Sequence, residues 1–231
     1  MNLQGKRALV TGGAVRIGAA ITKALQAEGV EVVVHYRRSK EEAAALSPCT
    51  VQSDLASPEA CATLIEQCGH LDILVNNASI FTKDTLESSS PDRVQREFQV
   101  NLFAPLELSR NFAAQAGEGA IINLLDRRIR SHDTTCAPYT LSKKGLEELT
   151  RLAALEYAPR IRVNAVAPGP VLPPPDCTTA DVREMAGNIP LDELPTPDEI
   201  AGAAVFLLQA ASVTGQIIYV DGGQHLLGNG V

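Results

Sequence analysis

Tyr139 and Lys143 stand four residues apart in a stretch with a helical pattern, and Asp126 precedes them, next to the apolar run from Ala120 to Leu125. Residues four apart on a helix share a face, so the phenol and the ammonium are expected side by side. A cation next to a phenol favours the phenolate, which is expected to draw the Tyr139 pKa below its ordinary value of about 10 and make the hydroxyl a better acid. The run before Asp126 reads as a short buried strand, and ligands of open α/β sheets collect at the carboxyl ends of strands. A proton donor, a cation and a carboxylate are therefore expected at one site, which is equipment for acid–base work on a bound substrate.

The elements that must hold these groups follow from the chain in order. Arg7 to Thr11 reads as a buried strand, followed by the turn Gly12-Gly-Ala-Val-Arg16-Ile-Gly18 and an apolar helical pattern from Ile17 to about Ala27. Strand, glycine turn and helix form a phosphate-binding unit, because small residues let the backbone approach a pyrophosphate at the helix N-terminus. A second strand, Glu31 to Tyr36 with His35 in it, ends in Arg37, Arg38 and Ser39 and not in an acid. An acidic side chain there would repel a ribose 2′-phosphate, whereas arginines and a hydroxyl donate to it, so the expected cofactor is NADPH.

A short third strand runs from Thr50 and has Asp54 and Leu55 at its exit, with Ser57-Pro58-Glu59 opening a helix. The fourth strand, Leu71 to Ser79, carries Asn77, Ala78 and Ser79 at its end, with Ile80 and Phe81 behind them. An aromatic there is either a core plug or a platform for a flat heterocycle. A helical pattern from Pro91 to Phe112 carries Asn101 near its middle, where an amide competes with the backbone and holds either a water or a bent turn. The fifth strand and the Tyr139 helix follow, the latter continuing to about Tyr157, and then a sixth strand, Arg162 to Ala167. It runs into Pro168, Gly169 and a proline-rich loop to Asp176 that reads as a lid. Helical stretches near Thr179 to Ala186 and Pro197 to Leu208, and a seventh strand, Gln216 to Val220, complete the pattern.

Composition narrows the class. A chain of 231 residues with no internal repeat or linker reads as one α/β domain, residues 1–231. Hydrophobic residues make up 45% and aromatics only 4%, so the core must be aliphatic, as between helices and a sheet. The net charge of −7 and the lack of a basic block argue against a nucleic-acid surface. The five cysteines are odd in number and scattered, without a Cys-x-x-Cys, which indicates neither a disulfide framework nor a metal site. They read as reduced thiols of a cytoplasmic protein. No secretory leader and no membrane span is expected, since no apolar run reaches about 18 residues.

Taken together, Thr11-Gly12, Asn76-Asn77-Ala78, Asn101, Tyr139-x-x-x-Lys143, Pro168-Gly169 and Val220-Asp221-Gly222-Gly223 resemble the short-chain dehydrogenase/reductases over essentially the whole chain. The resemblance implies a Rossmann fold with a seven-stranded, mostly parallel, doubly wound sheet, NAD(P)-dependent hydride transfer and a homotetramer. It carries proton donation onto Tyr139, binding of the nicotinamide ribose onto Lys143, and support of a relay water onto Asn101. Cofactor contacts are implied at Gly12, Arg16, Ile17, His35, Tyr36, Arg37, Arg38, Ser39, Asp54, Leu55, Asn77, Ala78, Ser79, Asn101, Tyr139, Lys143, Pro168 and Gly169.

Two positions depart from the common family pattern. Arg16 replaces a glycine of the turn, and Asp126 replaces the serine that the family places thirteen residues before the tyrosine. A serine hydroxyl donates to a carbonyl oxygen, whereas an ionised Asp is only an acceptor and would repel a developing alkoxide. Both departures are similar to the pteridine reductases, as are His35 to Ser39 and Asn77 to Phe81. That resemblance implies a pterin or folate substrate, with Arg16, Ser79, Phe81, Asp126 and Tyr139 around its ring. A general carbonyl reductase, with Asp126 a neutral exchange and Phe81 a core residue, is the competing reading. A non-catalytic NADP(H)-sensing module is a third.

Overall fold

Seven apolar segments form one sheet in a computed structural model that describes residues 1–173 and 179–228. The strands are β1 (Arg7–Val10), β2 (Glu31–Tyr36), β3 (Thr50–Gln52), β4 (Ile73–Asn76), β5 (Gly119–Leu124), β6 (Ile161–Pro168) and β7 (Ile217–Val220). Their order is β3-β2-β1-β4-β5-β6-β7. Every neighbouring pair is parallel, so the sheet is wholly and not mostly parallel. Central strands covered on both faces read as unbroken apolar runs, and β5 is buried at every residue.

Helices cover both faces. On one, α1 (Arg16–Ala27) packs along α8 (Pro197–Gln209), with Ile21 and Leu25 meeting Ile200 and Leu208 in one core. On the other, α3 (Pro58–Cys68), α5 (Ala104–Gln115) and α6 (Ala137–Glu156) bury Leu64, Leu108, Phe112 and Ala153. The starts are written locally. Ser57 Oγ accepts from the Ala60 N–H ahead of α3, and Thr196 and Glu199 form a reciprocal capping box on α8, each with Pro at the first turn. Phe112 is fully buried, and losing its ring would cost about 3 to 5 kcal/mol.

β1 pairs with β2 on one side and β4 on the other, so the chain leaves β1 in one direction and returns beside it from the other. That reversal opens a crevice at the strands' carboxyl ends, between the turn after β1 and the segment after β4. The helix expected over 91–112 is three pieces: α4 (Pro91–Phe98), a π turn (Gln99–Phe103) and α5. The bent turn expected as one alternative at Asn101 is present there as that π turn. α7 (Thr179–Ala186) follows the proline-rich loop. Of that loop and of the last residues, 174–178 and 229–231 lie outside the described residues, so the lid is described only as far as Pro173. No helix among the described residues is long and apolar enough to cross a membrane.

Candidate active site

The turn after β1 is built around two residues with positive φ, Gly12 at 60° and Arg16 at 55°. A Cβ at Gly18 would come within 2.1 Å of the Gly12 carbonyl oxygen, so the start of α1 can close on the turn only with glycine there. Thr11 Oγ1 accepts from the N–H groups of Asn77 and Ala78, and Asn77 Nδ2 donates to the carbonyls of Thr11 (2.8 Å) and Gly12 (3.1 Å). These bonds lock the ends of β1 and β4 together. α1 has no side-chain cap and no acid in its first turn, unlike α3, α4 and α8, and so offers its first amides to an anion.

The adjoining cleft has a volume of about 520 Å³. Gly12, Arg16, Ile17, His35, Tyr36, Arg37, Arg38, Ser39, Asp54, Leu55, Asn77, Ala78 and Ser79 all line it, together with the buried, unpartnered Ser53 Oγ. The Arg37 and Arg38 side chains have no hydrogen-bond or ion-pair partner among the described residues and face the end of β2. His35 is different in kind. Its Nδ1 accepts from the Gly12 N–H (3.0 Å) and its Nε2 meets the Ser53 carbonyl (3.1 Å), which fixes the neutral tautomer with hydrogen on Nε2. Burial pulls its pKa down to about 4. It shapes the turn from behind.

Arg16 joins this cleft to a second one of about 750 Å³. Left-handed backbone is costly for a residue with a Cβ, about 1 to 2 kcal/mol. Here it sends the guanidinium across to the carbonyls of Leu172 (3.1 Å) and Pro173 (2.9 Å), in the loop after β6. Pro168 and Gly169 line the same cleft.

The chemistry-bearing groups meet in that second cleft. Tyr139 and Lys143 are both buried on the inner face of α6, and Asp126 opens a 3-10 turn (Arg127–Arg130) just after β5. The Tyr139 hydroxyl donates to Asp126 Oδ2 at 2.9 Å, Arg128 pairs with the same oxygen at 3.3 Å, and the Arg128 N–H bonds Asp126 Oδ1 at 2.8 Å. Lys143 Nζ donates to the Leu124 carbonyl at 2.7 Å and lies 5.8 Å from the Tyr139 ring centre.

The expectation of a depressed Tyr139 pKa is overturned. Burial, and then the Asp126 carboxylate at its hydroxyl, hold it well above the ordinary value, since both penalise a phenolate. Lys143 is itself drawn down to about 8 by burial. Tyr139 is therefore a neutral phenol whose proton points at an acceptor.

Phe81 stands edge-on to Tyr139, ring centres 4.8 Å apart and planes at 86°, with the Arg128 guanidinium 5.5 Å over its ring. It is 48% exposed, so it is no core plug. Asn101 holds it there indirectly. Its Oδ1 accepts from Ser79 Oγ (3.0 Å) and the Ile80 N–H (2.9 Å), while its Nδ2 donates to the Ile80 carbonyl (2.9 Å) and Ser142 Oγ (3.1 Å). Fully buried, it ties the Ser79–Phe81 segment to Ser142 on α6. Glu97 adds a bond from the Thr82 N–H at 2.7 Å.

From the sequence, Arg127, Arg128 and Arg130 read as a solvated charge run or as a site for an anionic tail, and neither alternative singles out Arg128 as the partner of Asp126. The hint in the sequence is Asp133, whose carboxylate bonds Arg128 Nε at 3.2 Å and closes the 3-10 turn over Asp126.

Comparison with known proteins places this geometry. The family described as enoyl-(acyl carrier protein) reductase matches residues 13–225. The crystal structure of FolM alternative dihydrofolate reductase 1 from Brucella canis, complexed with NADP, superposes with a TM-score of 0.92 at 35% identity, over 97% of this chain and 96% of that one. Pteridine reductase 1 of Leishmania tarentolae is 33% identical, over 95% of this chain and 96% of its own length. The 3beta-hydroxysteroid dehydrogenase 1 of Eggerthella lenta is 35% identical, over 97% and 95%. Relatives with such different substrates share one scaffold, and the chain belongs to the short-chain dehydrogenase/reductase family of oxidoreductases.

Proposed function

We propose that the protein is an NADPH-dependent reductase of pterin-type substrates: a dihydropterin, and by extension dihydrofolate or an oxidised pterin. The observation that carries this reading is the bond from the Tyr139 hydroxyl to Asp126 Oδ2. A ketone reductase needs donors converging where the alkoxide develops, whereas Asp126 offers an acceptor. A pterin edge presents amino and ring N–H donors, for which a carboxylate is the complement.

NADPH is supported by the uncapped start of α1 for the pyrophosphate and by Arg37, Arg38 and Ser39 for a 2′-phosphate. Bound there, it supplies the hydride to a carbon of the ring C=N bond. Tyr139 delivers the proton to the ring nitrogen, with Asp126 holding the donor edge and Lys143 beneath the phenol. Phe81, half exposed and braced by Tyr139, covers one face of a flat ring, and Ser79 and Arg16 bond its polar rim. The exposed Leu106 on α5 and Leu141, Leu152 and Leu155 on α6 support a homotetramer built on that side.

The test is NADPH oxidation, followed by absorbance, with dihydrobiopterin, dihydromonapterin, dihydrofolate and a panel of ketones in parallel. Turnover of a dihydropterin or dihydrofolate and not of ketones is expected. Turnover of ketones alone overturns the substrate class and leaves the cofactor reading standing.

A further inference from the structure

Arg127 is a largely buried cation that pairs directly with no carboxylate among the described residues. It lines the second cleft at 9% exposure, and its guanidinium makes no hydrogen bond or ion pair among the described residues. Its neighbours are spent elsewhere. Arg128 holds Asp126 and Asp133, Arg130 holds Tyr219 Oη and Glu147, and Asp221 is taken by His225 and the Gly223 N–H. Burial and then the Arg128 charge push the Arg127 pKa down, and the more distant Asp126, Asp221 and Asp133 offset only part of that.

Buried charges in folded proteins are paired, and an arginine carries five donors in a planar fork that matches a carboxylate. The cleft as a whole shares the bias. Arg16, Lys83, Arg127, Arg128 and Lys143 face it against Asp126 and Asp133, in a chain whose net charge is −7. Arg16, Arg128 and Lys143 are engaged with protein oxygens, while Arg127 is held inside the cleft with its donors unpaired among the described residues.

We propose that Arg127 is a specificity-determining residue that receives a carboxylate of the substrate, so that the preferred substrate is a carboxylate-bearing molecule. This takes the second cleft to be the substrate site and names, within the reading above, an acidic pterin or folate over a neutral one.

The experiment uses pairs of compounds that differ by one carboxylate: 6-carboxy-7,8-dihydropterin against 7,8-dihydropterin, and a keto acid against its methyl ketone. Both kcat/KM and affinity for the NADPH-loaded enzyme, read by quenching of NADPH fluorescence, are measured for wild type, Arg127→Met and Arg127→Lys. Wild type is expected to favour the acidic member of a pair by about 10- to 100-fold, the range of a charge-assisted bond. Arg127→Met is expected to erase that ratio and Arg127→Lys to keep part of it. Because the side chain has no hydrogen-bond or ion-pair partner among the described residues, Arg127→Met is expected to keep or raise the thermal midpoint, where loss of a structural arginine would lower it.

An equal ratio in wild type and Arg127→Met overturns the proposal. So does a loss of NADPH affinity in Arg127→Met, which would make the guanidinium a cofactor contact. An Arg127-dependent preference confined to keto acids would retain the proposal while removing the pterin reading.

Discussion

The Tyr139 hydroxyl gives its hydrogen bond to Asp126 Oδ2 at 2.9 Å, and Arg128 pairs with that same oxygen at 3.3 Å. The phenol is thereby polarised toward a carboxylate that is itself charge-balanced. In the proposed reading an incoming ring nitrogen takes its proton from the side of the second cleft, next to Phe81. Ordinary carbonyl chemistry would want a donor where Asp126 stands.

Asp126→Ser separates the two chemistries. With a dihydropterin, kcat/KM is expected to fall by about 100-fold or more, the scale of a lost acid–base partner. With ketones it is expected to hold or rise, because a hydroxyl then donates beside Tyr139. NADPH affinity is expected to stay near wild type. Parallel steady-state assays and a fluorescence titration read all three, and an equal fall on both substrate types would count against the assignment.

Lys143 provides a pH signature. Its ammonium is buried and its pKa is down at about 8, against an ordinary 10.5. Between those values the unfolded chain holds the proton and the folded one does not, so this group's contribution to stability rises with pH across the window. Below about pH 8 the buried charge is a penalty. Lys143→Met is expected to raise the thermal midpoint of the cofactor-free protein relative to wild type at pH 7, with the gap shrinking by pH 9.5, and to lose at least 100-fold in kcat. A gap that widens with pH would contradict the burial argument.

How far the sequence alone reaches depends on the range of the interaction. The strands could be read because β1, β4 and β5 are mostly aliphatic, and helix starts because Ser57-Pro58, Ser90-Pro91 and Thr196-Pro197 are written in adjacent residues. Asn101 announced a break by being an amide in mid-helix, and the π turn is that break. The Tyr139 pKa could not be read. The helical neighbour Lys143 argued for lowering it, and burial with an oxygen from a residue outside the helix reversed the sign. Nor could Arg127, Arg128 and Arg130 be told apart, since only the 3-10 turn sends one inward, one to Asp126 and one to Tyr219.

His35 ties acid stability to the phosphate turn. Its pKa is drawn to about 4 by burial, from an ordinary 6.5, while its Nδ1 accepts from the Gly12 N–H. As pH falls from about 6.5 to 4 the unfolded chain takes up a proton that the folded one refuses, so stability is lost over that window, by about 3 kcal/mol at most. His35→Asn can still accept from the Gly12 N–H and does not titrate. Urea denaturation at pH 7 and pH 4.5 is expected to show a smaller acid loss in His35→Asn than in wild type. An identical loss would place the acid sensitivity elsewhere.

In the proposed reading cofactor choice falls to Arg37 and Arg38, which face the first cleft at the end of β2 with no protein acceptor among the described residues. Each guanidinium can donate a charge-assisted bond to a 2′-phosphate, worth about 1.5 to 3 kcal/mol, whereas a 2′-hydroxyl offers them little. Replacing both by Ala removes donors that only NADPH uses. The double variant is expected to weaken NADPH binding by about 100-fold or more and leave NADH binding within about threefold, so that the preference narrows through loss of one cofactor and not gain of the other. Parallel titrations of the two by fluorescence decide it. Equal weakening of both would mean the pair shapes the cleft without reading the phosphate, and discrimination would then fall to Ser39 and the backbone at the start of α2 (Lys40–Leu46).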